Sequence, residues 1–125
     1  MRILWVMIGG FFGSVARYGL GEWISIGGGF PLGTLMINLI GCFLLGWFLT
    51  IITQRSRNRQ PYMLVIGTGF IGSFTTFSTF SVESVELLKA DTIWLAVFYI
   101  TGSIIGGLWF AYTGYRLAGR KGDRP

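Results

Sequence analysis

The chain has 125 residues, of which 12% are charged and 17% aromatic. Its mean hydropathy is +0.63, too little charge and too much apolar surface for a soluble domain of this size, so a membrane protein is expected. Ten Lys and Arg stand against five Asp and Glu, with no His and one mid-span cysteine, Cys42; this excludes zinc clusters, Cys–His nucleophiles and disulfide frameworks.

Four apolar blocks reach the roughly 20 residues that a spanning helix needs, at about 3–26, 31–53, 61–88 and 92–116. The fold class expected is an all-α membrane protein, with residues 1–125 forming a single membrane domain. The first block begins Met1-Arg2 like a signal peptide, but it outruns an h-region, lacks a clean A-x-A site and carries Arg17, so it reads as a span. Gly10, Gly13 and Arg17 share a face at helical spacing. An arginine there either attracts anions from a vestibule, or snorkels to the headgroups or pairs with Glu22 or Glu83. The block ends at Gly27-Gly28-Gly29.

The second block opens at Pro31, suited to a first helical turn. Thr34, Asn38 and Gly41 lie on one of its faces, and the Asn38 amide can join helices or line a pore. The fourth block follows Asp91, read as its N-cap. It carries a stripe of Tyr99, Ser103, Gly106 and Phe110, whose hydroxyls serve either an anion or an ordinary helix contact. Gly9-xxx-Gly13, Gly102-xxx-Gly106 and Ser103-xxx-Gly107 are the small-residue pairs that let helices approach closely in lipid.

Short loops make neighbouring helices antiparallel. Arg2, Arg55, Arg57, Arg59, Arg116, Arg120, Lys121 and Arg124 then fall on one side of the membrane, and Lys89 alone on the other. The positive-inside rule places both termini in the cytoplasm of a multi-pass cell-membrane protein. Position on the loops also speaks for topology rather than nucleic acid as the role of the charge.

The third block carries the densest signal. Its Gly67-x-Gly69-x-x-Gly72 lies within a span, without a preceding strand, and is no dinucleotide fingerprint. From Ser73 to Ser81, six Ser/Thr hydroxyls and three Phe rings occur in nine residues. Hydroxyls offer the backbone alternative hydrogen bonds and glycine loosens it, so a helix broken at mid-membrane is expected. Such a break persists only where protein or a cavity satisfies the freed groups. Freed carbonyls can coordinate a cation, and the positive edges of Phe rings can face a small anion.

These residues resemble the Fluc (CrcB-type) fluoride channels over essentially the whole chain. The resemblance rests on Gly9-Gly-Phe-Phe-Gly-Ser-Val-Ala-Arg17-Tyr18, on Pro31-Leu-Gly-Thr34-Leu-Met-Ile-Asn38-Leu-Ile-Gly41, and most specifically on the run from Thr68 to Glu83. It implies an antiparallel two-subunit channel with two fluoride pores, passively exporting fluoride and so giving fluoride resistance. It also implies a structural sodium ion, not transported, held by backbone carbonyls of Gly72 and Thr75. Phe77 and Phe80 match the aromatic pair lining the pores, Asn38 the pore-side amide, Tyr99 and Ser103 polar residues of the fourth helix, and Arg17 the arginine near the vestibule. Thr34 and Glu83 contribute secondarily.

Two departures stand out. Gly72-Ser73 replaces a frequent Gly-Gly, leaving the Gly72 carbonyl in place. The one-sided loop charge favours a single orientation, whereas dual topology and an antiparallel homodimer call for balanced charge; a heterodimer with an oppositely inserted paralogue is the other arrangement implied. The competing function is a small proton-coupled multidrug exporter, also four helices in an antiparallel dimer. It needs a titratable group at mid-membrane, usually a first-span carboxylate, where this chain has Arg17. Nothing resembles a nucleophile–base pair, so an enzyme is not expected.

Overall fold

A computed structural model describes residues 1–24 and 28–122. The regular structure is helical throughout these residues: α1 (Arg2–Ile24) and α2 (Leu32–Arg55) are followed by a composite third span and by α6 (Ile93–Gly122). The third span comprises α3 (Gln60–Tyr62), a π-helical segment (Met63–Ile71), α4 (Gly72–Phe74) and, beyond a break, α5 (Phe77–Lys89). Four helical stretches are long and apolar enough to cross a membrane, the third being Gln60–Lys89. The chain is thus a multi-pass membrane protein with an interrupted third span.

Lipid offers no hydrophobic drive between helices, so their association depends on close packing. Glycine provides it at two seams. A Cβ on Gly9 would collide with the Val65 carbonyl, and one on Gly13 with the Phe70 carbonyl and the Ser73 hydroxyl. From the facing side, a Cβ on Gly69 would stand 2.8 Å from the Val6 carbonyl oxygen. The α1 backbone therefore lies directly against the π-helical segment. The second seam joins α2 to α6, where a Cβ on Gly46 would strike the Ala111 backbone and one on Gly114 the Phe43 backbone. Of the fourth-span residues singled out by spacing, Gly106 abuts Leu39 and Gly107 abuts Cys42, whereas Gly102 faces open space.

The π-helical turns were not foreseen. The Gly72 N–H donates to the carbonyls of Gly67 and Gly69, five and three residues back, at the end of that segment. Widened turns of this kind cluster at functional sites, and here they lead directly into the break.

Two end signals need correction. Pro31 precedes α2 rather than occupying its first turn; its carbonyl accepts the Leu35 N–H at 3.2 Å. Asp91 does not cap the fourth helix. It takes a left-handed φ of 55° in the turn, a conformation Asp tolerates better than most residues. Thr92 is the residue before α6, and its N–H and hydroxyl both donate to the Leu87 carbonyl at the end of α5. At 30 residues, α6 is about 45 Å long, against a hydrocarbon core of about 30 Å. Its last turns, with Arg116 and Arg120, therefore reach past the apolar layer. Ile26, Gly27 and Arg124, which figured in the expected first-span end, glycine loop and charge bias, lie outside the described residues.

The interior is thin. One cluster gathers Leu87, Ala96 and Tyr99 with Phe30, Leu35 and Phe80 around it; a second gathers Phe48, Ile52 and Ile71. Large apolar side chains such as Phe11, Trp94 and Leu108 are exposed on the outer faces, as expected where lipid is the solvent.

Candidate functional site

The third span breaks at Thr75 and Thr76. Thr75 has φ −78°, ψ 153° and Thr76 has φ −142°, ψ 123°, both extended. The half-helix before the break closes on itself, because the Thr75 N–H and hydroxyl both donate to the Ile71 carbonyl, at 3.1 and 3.0 Å. The half-helix after it begins with a cap: the Thr76 hydroxyl oxygen accepts the Thr79 N–H at 3.2 Å.

A buried break leaves backbone groups without helical partners, and Asn38 of α2 takes two of them. Its Nδ2 donates to the Thr76 carbonyl at 3.0 Å, and its Oδ1 accepts the Thr76 N–H at 2.9 Å. The amide thus pairs with one peptide as a neighbouring strand would. Gly41, one turn further along α2, makes room, since a Cβ there would collide with the Thr75 methyl.

These bonds release two carbonyls. In an unbroken helix the Thr76 N–H would bond the Gly72 carbonyl and the Thr79 N–H the Thr75 carbonyl. The first donor goes to Asn38 and the second to the Thr76 hydroxyl. Gly72 and Thr75, the residues that bear the freed carbonyls, both line one cavity of about 400 Å³. Neutral oxygen donors of this kind suit a hard monovalent cation, as at the unwound helices of sodium-coupled transporters. No set of three or more His, Cys, Asp or Glu suited to a metal occurs among the described residues, so any cation here would be held by neutral oxygens such as these carbonyls.

The same cavity brings together most of the residues singled out from sequence: Asn38, Phe77, Phe80 and Ser103 line it with Gly72 and Thr75. Phe77 is 80% exposed, a large ring left on the open side of the groove. Its centroid lies 5.9 Å from that of Phe80, which lies 5.2 Å from Tyr99. The Ser103 hydroxyl donates to the Tyr99 carbonyl at 2.6 Å, and must rotate to donate elsewhere.

Thr34, Tyr99 and Arg17 are placed differently. Both hydroxyls turn toward Glu83: Thr34 donates to one carboxylate oxygen at 2.9 Å and Tyr99 to the other at 2.8 Å. Tyr99 is fully buried, sealed by Phe80 on one side and by the edge-on ring of Phe30 on the other. Arg17, Thr34 and Glu83 line a second cavity of about 380 Å³, with Glu22, Thr76 and Thr79 also in its wall. Thr76, Thr79 and Glu83 follow one another at helical spacing, so α5 turns a polar stripe to this cavity and its phenylalanines to the other. Thr76 alone among the break residues borders both.

Sequence reasoning gave Glu83 a secondary place and left Thr76 and Thr79 among the undivided hydroxyls of the motif. A carboxylate still within the third span, seven residues after the break, was the available signal for Glu83. For Thr76 the signal was its residue type, a threonine being a favoured N-cap at the start of a helix.

Comparison with known proteins finds relatives over nearly the whole chain. The family described as CrcB-like protein, Camphor Resistance, matches residues 4–115. A fluoride-specific ion channel of Oceanobacillus iheyensis is 53% identical over 117 residues, covering 94% of this chain and 91% of its own. Two fluoride-specific ion channels of Geobacillus kaustophilus, designated 2 and 1, are 46% and 43% identical; the alignments cover 94% and 91% of this chain and 93% and 95% of theirs.

Proposed function

The chain belongs to the CrcB-like family, and from that premise we propose that it is a fluoride-specific ion channel, not an enzyme, passively exporting cytoplasmic fluoride. The observation that carries this reading is the broken third span. One peptide break, held by Asn38, presents two phenylalanines on one cavity, where Ser103 of α6 joins them, and a threonine–glutamate stripe on another.

Fluoride is small and strongly hydrated, so a selective path must replace its water with close donors and positive ring edges. Phe77 and Phe80 supply edges on a groove, and Ser103 supplies a hydroxyl once it rotates. In the second cavity, Arg17 supplies positive charge, and the hydroxyls of Thr76 and Thr79, bonded to each other, can turn to donate to an anion. The Thr34 and Tyr99 hydroxyls, both committed to Glu83, position that carboxylate rather than meet the ion in this arrangement.

The groove bordered by Phe77 is open on one side, which fits a pore completed by a second subunit in antiparallel orientation. The sodium assignment rests on the carbonyls of Gly72 and Thr75; bound there, sodium would tie the two breaks of a dimer without being transported. The one-sided loop arginines favour insertion with both termini in the cytoplasm. That favours a partner from an oppositely inserted paralogue over a second copy of this chain. The paired relatives of Geobacillus kaustophilus are consistent with such a partner.

Reconstitution in liposomes tests the reading. The protein, alone or with its paralogue, should release fluoride down its gradient, exclude chloride and need no proton gradient. Proton-dependent efflux of organic cations, or no fluoride flux from a properly inserted dimer, overturns it. Replacing sodium with N-methylglucamine on both sides should lower flux if the carbonyl site holds sodium, and unchanged flux removes sodium from the proposal.

A further inference from the structure

A third cavity lies away from the break, at the end of the bundle that carries the loop arginines. It is about 490 Å³ and is lined by Trp5 of α1, Ser56 and Asn58 of the loop, and Pro61, Tyr62, Val65 and Ile66 of the third span. Its floor, Val65 and Ile66, is apolar and leads into the spanning segment. Its rim combines two partly exposed aromatic residues, Trp5 at 45% and Tyr62 at 53%, with the polar loop. Trp and Tyr in this position belong at the level of lipid headgroups.

The charge around this groove is uniform. Arg2 starts α1, Arg55 ends α2, and Arg57 sits between the lining residues Ser56 and Asn58. Arg59 pins the loop by donating from Nε to the Ser56 carbonyl at 3.0 Å. The acidic residues among those described, Glu22, Glu83, Glu86 and Asp91, all belong to the opposite end of the spans. Four arginines thus sit at the edge of the bundle where this aromatic-rimmed, apolar-floored groove opens, and among the described residues no carboxylate shares that edge. Topology alone requires the charge; it does not require a groove beneath it.

We propose that this groove holds an anionic phospholipid, its phosphate near Arg57 and Arg55 and an acyl chain along Val65 and Ile66. Guanidinium groups suit phosphate oxygens geometrically as well as by charge, and basic sites at the cytoplasmic edge of transmembrane helices favour anionic headgroups. The lipid would sit against the seam between α1 and the π-helical segment, since Val65 both lines the groove and meets Gly9 of α1.

Tryptophan quenching tests this in the full-length protein. A variant retaining only Trp5 carries Phe at Trp23, Trp47, Trp94 and Trp109, each of them exposed; a matching variant retains only Trp94, at the opposite edge. Both are reconstituted in phosphatidylcholine with a fixed fraction of brominated phosphatidylglycerol or brominated phosphatidylcholine. Trp5 should be quenched several-fold more strongly by the anionic lipid, and Trp94 equally by the two. R55Q/R57Q should abolish the preference at Trp5. Because those changes also alter insertion, Ile66→Trp in a parallel native mass-spectrometry measurement fills the groove at constant charge, and should remove the retained phosphatidylglycerol. Equal quenching of Trp5 by both lipids, or an anionic preference that survives R55Q/R57Q and Ile66→Trp, overturns the proposal. Displacement of the bound lipid by millimolar glycerol phosphate identifies a free-phosphate site instead, and overturns it as well.

Discussion

Asn38 and Thr76 exchange two hydrogen bonds, 3.0 and 2.9 Å long, between a side-chain amide on one span and a backbone peptide on another. The pairing explains how a helix can stop in mid-membrane. An unpartnered peptide group in hydrocarbon costs several kcal/mol, and here a single residue satisfies both its donor and its acceptor.

Asn38→Ala should therefore lower thermal stability, each orphaned backbone group costing about 1–3 kcal/mol. Asn38→Leu should be no better, since its methyl groups can neither accept from the Thr76 N–H nor donate to its carbonyl. Thermal unfolding in detergent reads both, and a leucine variant as stable as wild type would contradict the two-bond account.

At Thr76 the hydroxyl matters separately from the peptide. Thr76→Ser keeps the cap on α5 and should stay near wild type, while Thr76→Val should lose about 1 kcal/mol, the usual worth of an N-cap. Equal stability of the two variants would show that the Thr79 N–H finds another acceptor.

The exposed ring of Phe77 separates conduction from folding. Phe77→Ile should change stability by no more than about 0.5 kcal/mol, as surface substitutions do. Combined with Phe80→Ile it should cut fluoride flux at least tenfold, about 1.4 kcal/mol on the barrier. Size-exclusion profiles should stay unchanged. Full flux in the double variant would remove both rings from the path.

Glu83 accepts from two hydroxyls on two different helices. Glu83→Gln retains one acceptor and should release either Thr34 or Tyr99, losing one charge-assisted hydrogen bond of about 1.5–3 kcal/mol. Fluoride flux measured beside thermal unfolding distinguishes the roles: flux lost with little change in stability places Glu83 in conduction, whereas parallel losses make it an interhelical support.

The glycine seams differ from a glycine that touches nothing. Gly9→Ala should prevent α1 from seating on the Val65 carbonyl and yield aggregated protein. Gly102→Ala should be neutral or stabilising by up to about 1 kcal/mol, because alanine is the better helix former. Monodisperse, active Gly9→Ala protein would mean the seam can separate.

Much of this was written plainly in the sequence, and the reasons are local. Four apolar blocks announce four spans, and the crowding of hydroxyls from Ser73 to Ser81 announces a weak point in the third. What stayed hidden depends on partners from other helices. The π-helical turns of Met63–Ile71 have the composition of any apolar helix, and their widening accompanies an approach of α1 that only Gly9 and Gly69 together permit. Gly46 and Gly114 form the second seam; each has only a threonine or an alanine four residues on, Thr50 and Ala118, a weaker mark than the glycine pairs of the first and fourth spans. Asn38 was read as either glue or pore lining. It borders the cavity while holding a peptide, and a peptide has no signature in sequence. The family resemblance set Tyr99, and secondarily Thr34, beside the pore; the direction of their hydroxyls is fixed by a carboxylate far along the chain, which spacing does not show. Asp91 and Thr92 are both good caps on paper, and the left-handed turn at Asp91 decides between them.

The two glycine seams also have a mechanical consequence. Backbone lies on backbone between α1 and the π-helical segment, and again between α2 and α6, so neither pair can slide without losing its contacts. Through the core around Leu87, Ala96 and Tyr99, α5 belongs with α6. The bundle is in effect two stiff plates, and the third span is cut where it passes from one to the other. Any change of pore width that leaves both plates intact must turn about the joint at Thr75–Thr76, and the Asn38 amide is the spring that sets its stiffness.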